Sequence, residues 1–230
     1  MSARRRGRRR SLKHQPDVPR GQAAEAVAQK KSLHDAERET ERVKQLRADY
    51  VARVRAWVAA HLKFIDESWI NIGMTRRYGR AAAGERIVEA VPEHRGTRLT
   101  MLAAVGLEGI SAEWVIEGAI DGDAFEVYLR DVLGPTLRLG DIVVMDNLRV
   151  HQVAAVEAAI NACGAKVEYL PPYSPDMNPI EKCWSKIKTA LRAAKARTVD
   201  ELMKALKEAL LTISPADVRA WFTYCGYAVH

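Results

Sequence analysis

The chain reads as an α/β protein, a mixed β-sheet with helices on both faces, preceded by a helical N-terminal segment. Three observations predict that class. Apolar runs of strand length recur between residues 62 and 120, punctuated by Gly106, Gly109 and Gly118. A continuous apolar run from Ile142 to Met145 is of the kind buried inside a parallel sheet. Helical periodicity occupies the stretches before, between and after these runs.

Residues 1–20 read as a basic, disordered tail. Residues 21–60 read as a helical segment: Ser32-x-x-Asp35 offers a cap, and residues 37–60 contain no Gly or Pro. Val43, Leu46, Tyr50, Val54, Trp57 and Val58 recur there at helical spacing and predict one buried stripe, packed by default on the chain's own core. The sheet domain is expected over 61–230. Its first strand runs over 62–66 and closes at Asp66. A turn-rich, hairpin-like stretch, GMTRRYGRAAAGER, comes next, and further strands are expected at 86–91, 99–105 and 114–120. A helix over 123–133 takes Asp121 or Asp123 as cap and Gly134-Pro135 as stop. The run 142–145, a helix over 153–163 ended by Gly164, a strand over 166–170, and helices over 179–196, 199–211 and 215–225 complete the chain. Strands in series, then helix, strand, helix, strand and a helical end, is the order of the ribonuclease-H-like fold, an antiparallel meander joined to parallel strands.

At 230 residues the chain has room for one core of ordinary size and an appendage, and 48% hydrophobic content excludes wholesale disorder. No apolar run approaches the roughly 20 residues that cross a bilayer, so no membrane partner is expected. Cys163, Cys183 and Cys225 show no CxxC pairing, which argues against a disulfide framework or a zinc site and fits a reducing cytoplasm. The net charge of +7 resembles a nucleic-acid signal until it is located. Residues 1–20 hold seven Arg and one Lys against one Asp, and the remainder balances at 28 against 28. The global basicity is a tail.

Three carboxylates carry the chemistry. Asp66 closes one apolar run, Asp146 ends another, and Glu181 opens a helix after 34 intervening residues. Magnesium wants hard oxygen ligands and is typically held by a couple of carboxylates plus a substrate phosphate. Two such ions about 4 Å apart activate the attacking oxygen and stabilise the leaving one at phosphorus. Strand ends and a first helical turn are rigid enough to hold that geometry. Each acid also has a plainer reading. Asp66-Glu67 can be a strand leaving the core, Asp146-Asn147 an ordinary turn, and Asn178-Pro179-Ile180-Glu181 a capping box in which Glu181 serves a backbone amide.

The helix over 179–196 tips the balance. Ile180, Trp184, Ile187 and Leu191 form an apolar face, whereas Glu181, Ser185, Lys188, Arg192 and Lys195 share another. An acid followed down its own face by cations is what a DNA track into a cleavage site looks like. Arg76, Arg77 and Arg80, with Arg86 and Tyr78, form a second phosphate-lining candidate. Asn147 and His151 are supporting candidates, His151 for positioning rather than as a base, because metal ions already activate water. Ser174 has no base beside it to make a nucleophile.

The segments FIDES (64–68), MTRRYGRA (74–81), VMDNLRVHQ (144–152) and LPPYSPDMNPIEKCWSKIK (170–188) resemble those of bacterial insertion-sequence transposases related to the Tc/mariner group, the IS-six-thirty group, within the DDE superfamily. The resemblance runs from about residue 30 to the end, and its YSPDxNPIE stretch is highly specific. It implies a ribonuclease-H-like catalytic domain with Asp66, Asp146 and Glu181 as catalytic ligands of two Mg2+ or Mn2+ ions. It also implies cleavage of double-stranded DNA at inverted-repeat ends, insertion at the easily deformed TA step, and a homodimer on DNA in the bacterial cytoplasm. Such transposases carry a longer N-terminal helix-turn-helix region, and KKSLHDAERE looks like the end of one. The chain therefore reads as a catalytic half completed by a separately encoded helix-turn-helix partner, or as a silent DNA-binding or regulatory remnant. A structure-specific ribonuclease-H-like nuclease would share the site and differ in substrate.

Overall fold

The structure, a computed structural model, describes residues 35–229 apart from 95, 97 and 147–149, and for 150–153 the backbone alone. The basic tail, the first part of the helical segment with Ser32, and Asn147 lie outside the described residues, as does the side chain of His151.

Five strands form one sheet in the order β3-β2-β1-β4-β5. Strands β1 (Leu62–Ile70), β2 (Leu99–Gly106) and β3 (Gly109–Glu117) make the antiparallel meander. Strands β4 (Ile142–Met145) and β5 (Lys166–Tyr169) add to it in parallel, β4 against β1. The return to the other edge of β1 needs a crossover, and α2 (Gly122–Val127), continued as a π-helical turn over Tyr128–Leu133, supplies it. Helix α3 (Val150–Ala162) links β4 to β5. Helices α4 (Pro179–Ala194), α5 (Val199–Leu211) and α6 (Pro215–Tyr224) close the chain, and α1 (Glu41–Val54) opens it.

Strand alternation sorts the side chains into two cores. Phe64, Met101, Ala103, Val105 and Val144 face α1, α4, α5 and α6, meeting Tyr50, Ile180, Trp184, Ile187, Leu206 and Phe222. Ile65, Leu102, Ala104, Val143 and Met145 face the other way, onto Tyr128, Leu133, Val156 and Ile160. Helices thus cover both faces, as a ribonuclease-H-like fold requires. Phe64 is fully buried with edge-on contacts to Phe222 and Tyr227. Burying such a ring contributes on the order of 2–3 kcal/mol.

Four expectations need correction. Strand β1 does not end at Asp66 but pairs with β2 as far as Ile70 opposite Leu99. Its parallel pairing with β4 ends at Phe64, so the carboxylate sits mid-strand where one edge has opened. Residues 86–91 form no strand: β2 takes β1 and β3 as its neighbours, and Ile87 and Val88 stand exposed. Residues 37–60 are not one helix: a 3₁₀ turn over Ala36–Glu39 precedes α1, which stops at Val54 so that Trp57 can fold back edge-on against Tyr50 before β1. Nothing in the side chains signals that stop. The capping box at α4 does not form either: Asn178 makes no side-chain cap hydrogen bond, and its own N–H donates to the Pro175 carbonyl.

Candidate active site

Parallel register brings the first two acids together. Leu62 lies opposite Ile142 and Phe64 opposite Val144, where the pairing ends. Asp66 and Asp146 each follow two residues later, near enough that the Asp146 charge acts on Asp66. Asp66 points to the face that α4 covers, as Phe64 does, and meets Trp184 of that helix. Helix α4 lies against β1 and β2, and its first turn carries Glu181.

Asp66 is held from two sides. The Glu67 N–H donates to its Oδ1 at 2.8 Å, and the Trp184 indole Nε1 donates to its Oδ2 at 3.1 Å. Burial nevertheless pushes the Asp66 carboxyl up to about 7, with the charges of Asp146 and Glu181 acting in the same direction. Asp146 is more open to solvent, yet the protein mass around its carboxyl raises it too. Glu181 is raised by burial and by Asp146, against the opposing pull of Lys188 and Lys182. The three carboxylates share one electrostatic environment. Among the described residues, Glu181 makes no side-chain hydrogen bond or ion pair.

Hard oxygen donors that raise one another's proton affinity fit a divalent cation, which would lower all three. The side chains as they stand are not closed around a point: among the described residues no group of three His, Cys, Asp or Glu is arranged to hold a metal ion.

Cations flank the acids on one side. Burial lowers the Lys188 ammonium, Arg192 acts with it, and Glu181 and Asp66 oppose the shift. Its Nζ lies 5.6 Å from the Trp69 ring centroid, and the Arg98 guanidinium lies 5.5 Å from the same ring, which is 47% exposed. Lys195 is engaged elsewhere, its Nζ 2.9 Å from Glu89. Arg76, Arg77 and Arg80 are exposed in the long β1–β2 connection, beside a Tyr78 that is 90% exposed. Asn147 and the His151 side chain lie outside the described residues.

Sequence reasoning did not find Trp184, Trp69 or Arg98. Trp184 was legible only as an apolar-face residue, although a tryptophan one turn after Glu181 has an N–H to place. Trp69 with Arg98 had no sequence signal, because the strand and the end of the connection meet only in the fold.

A family profile described as DDE superfamily endonuclease matches residues 61–203. No curated protein sequence matches significantly. Among solved structures, the Mos1 transposase paired-end complex with left transposon end superimposes with a TM-score of 0.69 at 18% identity, over 87% of this chain and 63% of that one. The mariner Mos1 paired end complex with Mg gives 0.66 at 16% identity, over 88% and 65%. The catalytic domain of Mos1 mariner transposase gives 0.57 at 15% identity, over 89% of this chain and 100% of that one. The chain spans about 63% of the first of these transposases, and the likeness at such identities is one of fold: the ribonuclease-H-like catalytic domain. With the profile covering more than half of its length, the chain belongs to the DDE superfamily endonucleases.

Proposed function

We propose that this chain is the catalytic domain of a Tc/mariner-related transposase of the bacterial IS-six-thirty group, with Asp66, Asp146 and Glu181 as ligands of two Mg2+ or Mn2+ ions. The observation that supports this reading is that the Asp146 charge acts on both Asp66 of β1 and Glu181 of the first turn of α4, with Trp184 of α4 bonded to Asp66. Mos1 complexes solved with Mn and with Mg support the choice of metals. When bound, such ions activate the attacking oxygen and neutralise charge developing at phosphorus.

The chain's own residues prepare that site. The Glu67 N–H and the Trp184 indole orient the Asp66 carboxylate, and Lys188 sets a positive charge between the acids and a passing phosphate. Arg76, Arg77, Arg80, Lys188, Arg192 and Lys195 contact the DNA backbone, the last after release from Glu89. Asn147 and His151 support the site from the segment after β4. The substrate is double-stranded DNA at inverted-repeat ends, the target is TA, and a homodimer on DNA does the work in the cytoplasm, completed by a separately encoded helix-turn-helix half. Residues 1–20 are the basic tail, 21–60 a helical segment that is the remnant of or linker to a helix-turn-helix domain, and 61–230 the catalytic domain.

A second reading, a silent DNA-binding or regulatory relative, is favoured by one observation: the described acids are not arranged to hold a metal ion. Magnesium-dependent nicking of inverted-repeat DNA by wild type and by Asp146→Ala separates the two. The catalytic reading expects activity in the first and at least a thousand-fold loss in the second. Equal activity in both removes it.

A further inference from the structure

The helix that carries Glu181 has no anchor of its own at its start. Asn178, in the N-cap position, is 2% exposed, bonds none of the first-turn amides through its side chain, and leaves its Oδ1 buried without a partner. Buried polar atoms of this kind are rare, and something else must hold the helix end in place.

The anchor sits one turn upstream and belongs to a distant part of the chain. Pro175–Met177 forms a 3₁₀ turn leading directly into α4, and Asp176 projects from it. The Arg47 guanidinium, from α1, donates to both Asp176 oxygens at 3.1 and 2.8 Å and to Ser174 Oγ at 2.6 Å. Arg38 adds a bond to Asp176 Oδ2 at 3.0 Å. On the same turn, the Met177 carbonyl accepts from Tyr227 Oη at 2.7 Å, and that hydroxyl is paired with Tyr50 of α1 at 2.8 Å. Arg53, one turn further along α1, reaches Glu168 on β5 at 2.7 Å. Burial raises the Asp176 carboxyl, but the hydrogen bond and charge of Arg47, with Arg38, carry it below its usual range. A bidentate, part-buried arginine–carboxylate pair is directional in a way that a surface pair is not.

We infer that Asp176 is a positioning residue: clamped by Arg47, it fixes the 3₁₀ turn and hence the first turn of α4, so that the placement of Glu181 is set by helix α1. The inference rests on the proposed role of Glu181 as a metal ligand. A rigid helix transmits a displacement of its first turn to every side chain on it, and about 1 Å of misplacement costs on the order of a hundred-fold in rate.

The test compares the full chain with Arg47→Ala, Asp176→Asn and Arg47→Lys. Three quantities are read: Mn2+ affinity by electron paramagnetic resonance, amide exchange over the first turn of α4, and nicking of inverted-repeat DNA. Arg47→Ala and Asp176→Asn are expected to weaken Mn2+ about five-fold or more and to speed first-turn exchange at least about ten-fold. They should lower kcat by about ten-fold or more, with KM for DNA within about two-fold. Arg47→Lys, which keeps the charge and loses the fork, falls between. Lowered thermal stability with wild-type Mn2+ affinity and wild-type first-turn exchange overturns the inference. A wild type that neither binds Mn2+ nor nicks DNA sinks the functional reading instead, and first-turn exchange still decides whether Arg47 and Asp176 hold α4.

Discussion

Helices α4, α5 and α6 follow one another along the chain, and their beginnings are built in opposite ways. Helix α5 starts on a complete capping box: Thr198 accepts from the Glu201 N–H at 3.2 Å, and the Glu201 carboxylate accepts from the Thr198 N–H at 3.2 Å. Helix α6 repeats the device with Ser214 and Asp217, reinforced by Lys186 from α4 at 2.7 Å. Helix α4 has the right residues for the same box, Asn178 and Glu181, and does not form it. Locally satisfied ends serve stability. The end that is left unsatisfied has its acid available, and its position is controlled from elsewhere in the fold.

The largest expected effect lies at α4. Glu181→Gln should cut metal-dependent nicking at least about a thousand-fold, because the amide cannot share a cation with Asp66 and Asp146. Thr198→Ala, at the matching position of α5, should leave the rate within about two-fold of wild type. A Glu181→Gln protein with ordinary activity would make the unformed box a structural accident.

The next effect is the pH dependence of stability around the acids. Asp66 titrates near 3.9 in an unfolded chain and at about 7 in the folded protein. The folded state therefore binds more protons between these values, and stability falls as pH rises from about 4 to about 7. Metal-free Asp66→Asn should exceed wild type in stability at pH 8 by on the order of 2 kcal/mol, and the gain should vanish near pH 4. Thermal melts at the two pH values read this directly. Mg2+ or Mn2+ should recover the deficit of wild type but not raise the variant. A gain that is the same at both pH values would point to packing rather than charge.

The smallest effects sharpen the contrast between helix ends. Thr198→Ala and Ser214→Ala should each cost about 1 kcal/mol in denaturant melts. Asn178→Ala should cost less than either or stabilise, since it removes a buried acceptor that has no partner. A cost at Asn178 equal to that at Thr198 would show that this residue caps its helix after all.

Much of the fold was legible because it is periodic. The apolar face Ile180, Trp184, Ile187 and Leu191 is buried as its spacing predicts, and α5 occupies 199–211 as read. Asp121 rather than Asp123 caps α2, accepting from the Ala124 N–H at 2.9 Å. The two strand misreadings share one cause. RIVEAV over 86–91 has strand-like composition but pairs with no strand, and Asp66 looked terminal because Glu67 and Trp69 are exposed on a strand that continues. Strand pairing is a property of partners that lie far away in sequence.

What the amino-acid order determined by itself was the alphabet of the protein: most of the runs that become strands or helices, which faces are apolar, and which three carboxylates lie in or beside those runs. These are short-range consequences of backbone geometry and side-chain periodicity. Only the tertiary structure decided that β1 and β4 run parallel as neighbours, that Trp184 donates to Asp66, and that Arg47 binds the turn before Glu181. Those contacts span 118 and 129 residues of chain, and no local energy specifies them until the sheet and its helices have packed.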